Sequence, residues 1–481
     1  MDVSKLAGLE PVEVFACFEQ ICAIPHGSRN TKAISDHLAA FAAAHGLSYR
    51  QDELNNLIIF KPGTAGYENH APVILQGHMD MVCQKEADCP IDMEKQGLTL
   101  RHDAQKIWAE GTTLGGDDGI AVAYAMALLA SRDIPHPPLE VLLTVDEEIG
   151  MEGAAGVDLT ELRGRTLINI DSEEEGIFTV SCAGGARGTI TLPLRRHPVY
   201  GPCVRLTVEG LRGGHSGTEI HRNLANANKV MGLLLQRISE AMPLCIAGLS
   251  GGSADNAIAR SCRATLVALG SHPEQINEIV QQVQQQIRRD YDEPDVVIRA
   301  DNAEALGGNA LSTEDSVTLI GLLCAAPNGV RAWSSHIPGL VQTSLNLGIA
   351  EMHGDALKLV FAVRSSVNAE KQALLAQLRE LAEKFGGSYS QMGEYPAWEY
   401  RQESPLRRTM ETVYTELFGT APQVVAIHAG LECGLLSEKL PGLDCVSIGP
   451  NMHDIHTTRE TLEIASAQRT WQFLLEILRR L

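Results

Sequence analysis

Hydrophobic positions recur with two different spacings along the first third of the chain. Helical spacing marks residues 12–24 and 31–44, and a third helical segment covers 119–130. Short apolar runs rich in β-branched residues predict strands at 56–61, 72–76, 139–145 and 166–170. Strands separated by helices are typical of an α/β sheet whose two faces are covered. We therefore predict an α/β fold with a mixed sheet sandwiched by helices.

The pattern changes in the middle of the chain and returns near its end. Strands at 204–208, 296–300, 344–350 and 357–363 alternate with helices at 224–239, 273–289 and 369–385, which indicates an α+β unit. From residue 395 the α/β pattern resumes, with helices at 405–418 and 465–481 and strands at 423–427 and 444–448. We therefore predict a discontinuous first domain, 1–187 and 393–481, interrupted by an inserted domain, 188–392. Repeated strand–helix pairs leave open whether the insertion is one unit or two subdomains.

Composition and charge limit the classes of partner. The 481 residues are 44% hydrophobic and 21% charged, as in folded globular chains. Lys and Arg number 39 against 60 Asp and Glu, a net charge of −21, which argues against nucleic acid and anionic membranes as partners. The longest apolar run, 120–130, is shorter than a bilayer span, and residues 1–11 lack a secretory signal. Eleven scattered cysteines without a CxxC pair indicate reduced thiols, so we expect a cytoplasmic protein.

Acidic and histidine side chains follow three of the predicted strands. His78 and Asp80 follow the second strand, 146–148 are all acidic after the third, and Asp171 follows the fourth. A further acidic pair lies in the Gly-rich turn 115–119. Ligands of open α/β sheets bind at the carboxyl ends of strands, so neighbouring strands would bring these groups into one crevice. Clustered carboxylates need cations, and mixed imidazole and carboxylate ligands favour zinc, manganese or cobalt.

Six motifs resemble those of the co-catalytic zinc peptidases typified by carboxypeptidase G and aminoacylase. They are HMDMV at 78–82, GTTLGGDDG at 111–119, TVDEEIGMEG at 144–153, NIDSEEEG at 169–176, RGGHSG at 212–217 and HAGLECG at 428–434. The resemblance extends over nearly the whole chain, in order, and is nearest to the bacterial aminoacyl-histidine dipeptidase branch. It implies a zinc exopeptidase-like catalytic domain and an inserted lid or dimerisation-type domain.

The resemblance implies five metal ligands for two divalent ions, most often Zn²⁺, with Mn²⁺ or Co²⁺ as alternatives. His78 and Asp171 would bind the first ion, Glu148 the second, and Asp117 would bridge both; the fifth ligand is His456. Asp118 is adjacent to the bridge, and the family spacing selects Asp117. His453 is the alternative to His456, which is preferred because Glu460 follows it by four residues, as in the family.

The same resemblance, with the chemistry of the residues, implies catalytic and substrate-binding groups. Glu147, beside a metal ligand in a strand-end turn, would be the general base that activates a metal-bridging water. Asp80 would hold the second imidazole nitrogen of His78 and so fix its tautomer. The groups that would contact the substrate are His215 as oxyanion donor, Asn256, Arg364 as carboxylate partner, and His428.

We therefore expect a metal-dependent dipeptidase that hydrolyses unblocked dipeptides, preferentially Xaa-His such as carnosine. A related aminoacylase or tripeptidase is the alternative enzyme, and a non-catalytic peptide-binding protein is the alternative of another class. The expected partner is a small peptide substrate, with a homodimer left open. Whether His215 acts within its own chain or in a partner subunit is also left open.

Overall fold

The computed structural model describes residues 5–269, 273–303 and 309–481 and consists of two compact units. Unit 1 comprises 1–181, 400–426 and 431–481, and unit 2 comprises 182–399 and 427–430. The unit borders near 181 and 399 differ slightly from the predicted limits at 187 and 392, which stay a prediction.

The elements of the first segment belong to unit 1, apart from the final residue of its last strand. They are α1 (Val12–Cys22), α2 (Lys32–Ala44), β1 (Ser48–Gln51), β2 (Leu57–Lys61), β3 (Val73–His78), β4 (Leu100–His102), β5 (Lys106–Ala109), α3 (Gly116–Ala130), β6 (Leu139–Thr144), α4 (Glu152–Gly156), β7 (Thr166–Asn169) and β8 (Ile177–Cys182).

Unit 2 follows with the longer strands and a 3₁₀ turn at Ile220–Arg222. Its elements are β9 (Gly184–Pro193), β10 (Arg196–Pro198), β11 (Cys203–Glu209), β12 (Gly214–His215), α5 (Ala227–Ala241), β13 (Leu244–Gly251), β14 (Ala257–Ile258), β15 (Cys262–Ala268), α6 (Pro273–Asp290), β16 (Val297–Ala303), β17 (Asn309–Leu311), α7 (Thr313–Ala325), β18 (Gly329–Trp333), β19 (Val341–His353), β20 (Ala356–Ser365), α8 (Asn368–Lys384) and β21 (Ser388–Tyr395).

The last segment completes unit 1, apart from residues 427–430, which belong to unit 2. It contains α9 (Pro405–Phe418), β22 (Gln423–Ile427), α10 (Glu432–Lys439), β23 (Asp444–Ser447), β24 (Met452–His453), β25 (Thr461–Glu463) and α11 (Ile464–Arg480). Helix α9 shows why its sequence limits were readable. The Ser404 hydroxyl caps the N–H of Arg407, Pro405 opens the helix, and Gly419 ends it with a φ of 73°.

The main sheet of unit 1 has eight strands in the order β1-β2-β6-β3-β7-β23-β8-β22. Strand β3 is central and pairs in parallel with both β6 and β7. Every residue of β3 and β6 is buried, and because successive side chains point to opposite faces, both faces of the sheet are covered. The predicted mixed α/β sheet is therefore confirmed. No helix among the described residues is long and apolar enough to cross a membrane.

Unit 2 is built on a second, antiparallel sheet of nine strands. Eight strands run in the order β16-β11-β15-β13-β19-β20-β9-β21, and β18 pairs with β19 beside this path. One apolar core collects buried side chains from this sheet and from α5, α6, α7 and α8. The insertion is thus a single unit rather than two subdomains, because β13 pairs with β19 and joins the two halves of the sheet.

Candidate metal centre

The carboxyl ends of β3, β6 and β7 bring the predicted groups together. His78 is the last residue of β3, Glu147 and Glu148 lie in the turn after β6, and Asp171 lies just beyond β7. In the register of the sheet His78 is opposite Thr144, and Gln76 is opposite Asn169, so the strand ends share one edge. The predicted convergence of these three strand ends is confirmed.

Two sets of donor atoms meet at Asp117. Its Oδ1 lies 3.1 Å from His78 Nε2, which is also 3.6 Å from Asp171 Oδ1. Its Oδ2 lies 3.1 Å from His456 Nε2, which is 2.9 Å from Glu148 Oε1. Donors bound at about 2.0–2.2 Å to one tetrahedral ion are separated by about 3–3.6 Å. The spacing and the imidazole–carboxylate chemistry therefore fit two neighbouring ions that share Asp117.

Asp118 lies beside this arrangement in a different role. Its Oδ2 accepts the backbone N–H of His78 at 3.2 Å, while its Oδ1 is buried without a hydrogen-bond partner. One of its oxygens also lies within 4.8 Å of donor atoms of His78 and Asp171. Gly77 makes this approach possible, because a Cβ there would meet the Asp118 carboxylate at 2.5 Å. The distances favour Asp117 over Asp118 as the shared residue.

The turn that carries Asp117 is held by Glu460, which the sequence indicated only through its spacing from His456. The buried carboxylate of Glu460 accepts the backbone N–H groups of Leu114 at 2.8 Å, Gly115 at 3.1 Å and Gly116 at 2.8 Å, with that of Asp117 at 3.5 Å. Burial raises the pKa of Glu460, and these N–H groups oppose the shift. Glu460 thus fixes the backbone immediately before the shared carboxylate. The spacing from His456 was the available signal for it.

Asp80 links the two halves of the centre. Its carboxylate accepts the backbone N–H groups of Glu147 at 3.1 Å and Glu148 at 3.4 Å, and the hydroxyl of Ser28 at 2.8 Å. Asp80 also lies at the Nδ1 atom of His78, the imidazole nitrogen for which it is predicted as the partner. The nearest acceptor is the main-chain oxygen of Asp80 at 2.9 Å, because the turn brings that carbonyl closer than the carboxylate at 3.4 Å. Donation from Nδ1 leaves the Nε2 lone pair facing the centre.

Glu147 is half-buried beside the candidate ligands. One of its carboxylate oxygens lies within 4.8 Å of donor atoms of His78 and Glu148. Burial raises the pKa of Glu147 to about 9; Asp171 and Glu432 add to the shift and His78 opposes it. Bound cations at this place would stabilise the ionised form, which a general base requires.

Nearby carboxylates raise the pKa of both candidate imidazole ligands. Hydrogen bonds that His456 donates to the carboxylates of Asp117 and Glu148 raise its pKa to about 10. Burial lowers the pKa of His78, but its hydrogen bonds to Asp117, Asp171 and Asp80 outweigh that effect and raise the pKa well above 6.5. The cluster therefore attracts positive charge, and metal ions would have to displace protons from both imidazoles.

His453, the alternative ligand, lies away from these donors. Its Nε2 pairs with Glu463 Oε1 at 2.9 Å, and its side chain is 58% exposed. It lines a separate open cavity of about 830 Å³ with Lys106, Trp108 and Arg459. The geometry accordingly favours His456.

Unit 2 holds the four predicted substrate-contacting residues. His215 is half-buried in the short strand β12, and its Nδ1 accepts the backbone N–H groups of Gly217 at 3.3 Å and Thr218 at 3.2 Å. Burial and then Arg364 lower the pKa of His215, so the imidazole is neutral with its proton on Nε2. That nitrogen is therefore a donor, as the predicted oxyanion role requires.

The other three residues lie in the same unit. Asn256 lines a cavity of about 710 Å³ with His215 and a second cavity of about 290 Å³ with Arg364. Arg364 donates to the Tyr395 hydroxyl at 3.2 Å, and its buried Nε has no hydrogen-bond partner. His428 is buried with its Nε2 2.7 Å from the Ser344 hydroxyl, and burial followed by Arg364 lowers the pKa of His428 to about 3.

Comparisons with known proteins agree over almost the entire chain. A cytosol non-specific dipeptidase of Escherichia coli strain K12 is 37% identical over 483 residues, covering 100% of this chain and 99% of the relative. The crystal structure of an aminoacylhistidine dipeptidase from Vibrio alginolyticus matches with a TM-score of 0.95 and 34% identity, covering 99% of this chain and 98% of the other.

A more distant structure shares the fold alone. An aminopeptidase PepT from Bacillus cereus has a TM-score of 0.57 and 14% identity, with 98% of each chain covered. The model of peptidase family M20/M25/M40 matches residues 74–480. The chain therefore belongs to peptidase family M20/M25/M40.

Proposed function

We propose that the protein is a dinuclear metal-dependent dipeptidase that hydrolyses unblocked dipeptides, with Xaa-His dipeptides preferred. The observation that carries the proposal is the position of Asp117, whose two carboxylate oxygens each lie 3.1 Å from a different imidazole. Together with Glu148 and Asp171 these residues supply three carboxylates and two imidazoles, a donor set suited to two divalent ions.

Two ions held by these ligands would supply Lewis acidity and lower the pKa of the attacking water. Glu147 takes the water proton and returns it to the leaving amine, which is why it must be ionised before the attack. Asp80 assists by holding the backbone of Glu147 and Glu148 in place and by fixing the orientation of His78.

Residues of unit 2 are proposed to bind the substrate. His215 donates a hydrogen bond from its Nε2–H group to the scissile carbonyl oxygen as negative charge develops there. Arg364 pairs with the free carboxylate of the dipeptide, supported by the unpartnered state of its buried Nε. Asn256 and His428 are proposed as further polar contacts of the substrate.

Substrate and metal preferences extend the proposal. The Vibrio relative is named for aminoacyl-histidine substrates and the Escherichia coli relative is named non-specific, so both names support dipeptides as the class. We take Zn²⁺ as the resident ion, with Mn²⁺ and Co²⁺ as substitutes, because the donors are mixed imidazole and carboxylate. A cytoplasmic location is proposed in line with the cytosolic name of the Escherichia coli relative.

The test is hydrolysis of a substrate panel by metal-free protein reloaded with zinc or manganese. The panel contains carnosine, Gly-Gly, Ala-Ala, an N-acetylated amino acid and a tripeptide. We expect metal-dependent cleavage of the unblocked dipeptides, fastest for the Xaa-His substrate. Activity confined to the acetylated substrate or to the tripeptide would support the aminoacylase or tripeptidase instead, and no activity with either metal would support a peptide-binding protein.

Two histidines of one segment provide a matched pair of variants. His456→Gln should abolish the metal-dependent activity, whereas His453→Gln, which removes only an exposed ion pair with Glu463, should retain it. Equal activities of the two variants would contradict the assignment of His456.

A further inference from the structure

A connected layer of buried polar side chains joins the three strands that carry the candidate ligands. Gln76 Nε2 and Thr144 Oγ1 both donate to Glu432 Oε2 at 2.6 Å, and Asn169 Nδ2 donates to Gln76 Oε1 at 2.5 Å. All four side chains are at most 2% exposed. Three of them come from β3, β6 and β7, and Glu432 comes from the first residue of α10.

Two strand residues of this layer lie close in sequence to candidate ligands. Gln76 precedes His78 by two residues, and Asn169 precedes Asp171 by two. Gln76 and His78 both belong to β3, and residues two apart on a strand point to the same face, so this part of the layer shares the face of the candidate ligand His78. A change in the hydrogen bonds of the layer would therefore shift the strand ends that aim the imidazole and the carboxylate.

Glu432 is the point where two of these strands meet. Within the described part of the chain its hydrogen-bond partners are the neutral Gln76 amide and Thr144 hydroxyl. The second oxygen, Oε1, is buried without a hydrogen-bond partner. Burial makes an ionised carboxylate costly here; the charge of His78 and the hydrogen bond from Thr144 offset part of that cost, and Asp171 and Asp80 add to it, so that the pKa of Glu432 is raised. A neutral side chain suits this place better.

We propose that Glu432 is a positioning residue for the metal centre, which it serves as a neutral hydrogen-bonding group that fixes the ends of β3 and β6. This inference rests on the proposed function, because the groups it aligns are the proposed metal ligands and Glu147. Burial raises the pKa of Glu432 to about 8, in agreement with a neutral carboxyl group at neutral pH.

The test compares Glu432→Gln with Glu432→Ala. The amide of Gln keeps an oxygen that can accept from Gln76 and Thr144 and carries no charge, whereas Ala removes the acceptor and leaves both donors unsatisfied. Loss of a residue that supports metal ligands typically weakens metal binding by about 10- to 100-fold. We therefore expect Glu432→Gln to bind metal within about threefold of the unaltered chain and Glu432→Ala to bind at least about tenfold more weakly.

Metal binding is measured without reference to peptidase activity, by titrating metal-free protein with Co²⁺ and following its visible absorption spectrum. Glu140→Ala is the matched control: Glu140 is also buried, lies near the opposite end of β6 and accepts the backbone N–H groups of Arg163 and Gly164. It should lower the thermal stability without changing the Co²⁺ affinity or spectrum.

Each result has a separate meaning. Unchanged Co²⁺ binding by Glu432→Ala would overturn the positioning role, and a loss in Glu432→Gln equal to that in Glu432→Ala would overturn the neutral state. Absence of Co²⁺ binding by the unaltered chain would instead contradict the proposed function. Should Glu432→Ala fail to fold, Thr144→Val removes one donor to Glu432 at nearly constant shape, and a Co²⁺ affinity equal to that of the unaltered chain would overturn the proposal.

Discussion

The carboxylate of Glu460 offers the sharpest test of how the backbone shapes the centre. Substitution by Gln keeps the size of the side chain but replaces one oxygen with an NH₂ group. That group faces backbone N–H donors of the 114–117 turn, so one pair of N–H groups loses its acceptor. A buried donor left unsatisfied costs about 1–3 kcal/mol, so two cost about 2–6 kcal/mol.

Part of this cost is expected to appear in metal binding, because the same turn carries Asp117. The metal-free protein can avoid part of this cost by moving the turn, and zinc binding must then restore the turn to its original position. If about 2 kcal/mol is avoided in this way, zinc affinity falls about 30-fold, since about 1.4 kcal/mol corresponds to a factor of ten. The assay is a competition titration of metal-free protein against a chromophoric zinc chelator. Thermal unfolding of the metal-free forms separates a general loss of stability from a loss of affinity.

Glu463→Gln is the matched control for this experiment. Glu463 lies three residues away, is 39% exposed and pairs with His453 and Asn451 outside the centre. Zinc affinity equal to that of the unaltered chain in both Glu460→Gln and Glu463→Gln would refute the reasoning, because the turn would then hold Asp117 without its carboxylate clamp.

Four further predictions follow from the assigned roles. Glu147→Gln should lower kcat by about 10²- to 10⁴-fold while two metal ions remain bound, measured by steady-state kinetics and metal analysis; retained activity would exclude a general base. His215→Gln should lower kcat by about 10²- to 10³-fold without changing zinc affinity, and a loss of zinc would indicate another role. Arg364→Met should raise KM about 10- to 100-fold for a dipeptide but not for its C-terminal amide; equal effects would argue against carboxylate pairing. In metal-free protein, the rise in the pKa of Glu432 from 4.5 to about 8 means that the folded state binds its proton more tightly, so this group destabilises the fold as pH rises from about 4.5 to 8. Glu432→Gln removes that effect, which is worth at most about 5 kcal/mol. Urea unfolding should therefore show that the variant gains stability relative to the unaltered chain between pH 5 and pH 8. A stability difference that is the same at both pH values would contradict the raised pKa.

Sequence patterns located the parts of the centre that depend on strands. The apolar runs before His78 and Glu147 form β3 and β6, which pair in parallel and are buried on both faces, as their continuous apolar sequences indicate. The strand predicted at 72–76 was two residues short, because Gly77 and His78 are polar or small yet remain paired with β6. Such residues carry little strand preference, so their pairing partners decide the strand end.

Other parts of the centre could not be predicted from local patterns. Glu460 contacts the turn before Asp117 across more than 340 residues of sequence, and Glu432 contacts Gln76 across more than 350. Helix and strand periodicity reports which face of an element is buried, but not which distant element covers it. The choice of Asp117 over Asp118 likewise came from family spacing, whereas the distances to His78 and His456 supply the physical reason.

The central claim is that two ions at this centre support the hydrolysis of dipeptides. The most direct measurement adds Zn²⁺ in small steps to metal-free protein and records both bound metal and the rate of carnosine cleavage at each step. We expect activity, absent at the start, to rise and reach a plateau when two equivalents are bound. Saturation at a single equivalent, or cleavage that persists in the metal-free protein, would contradict it.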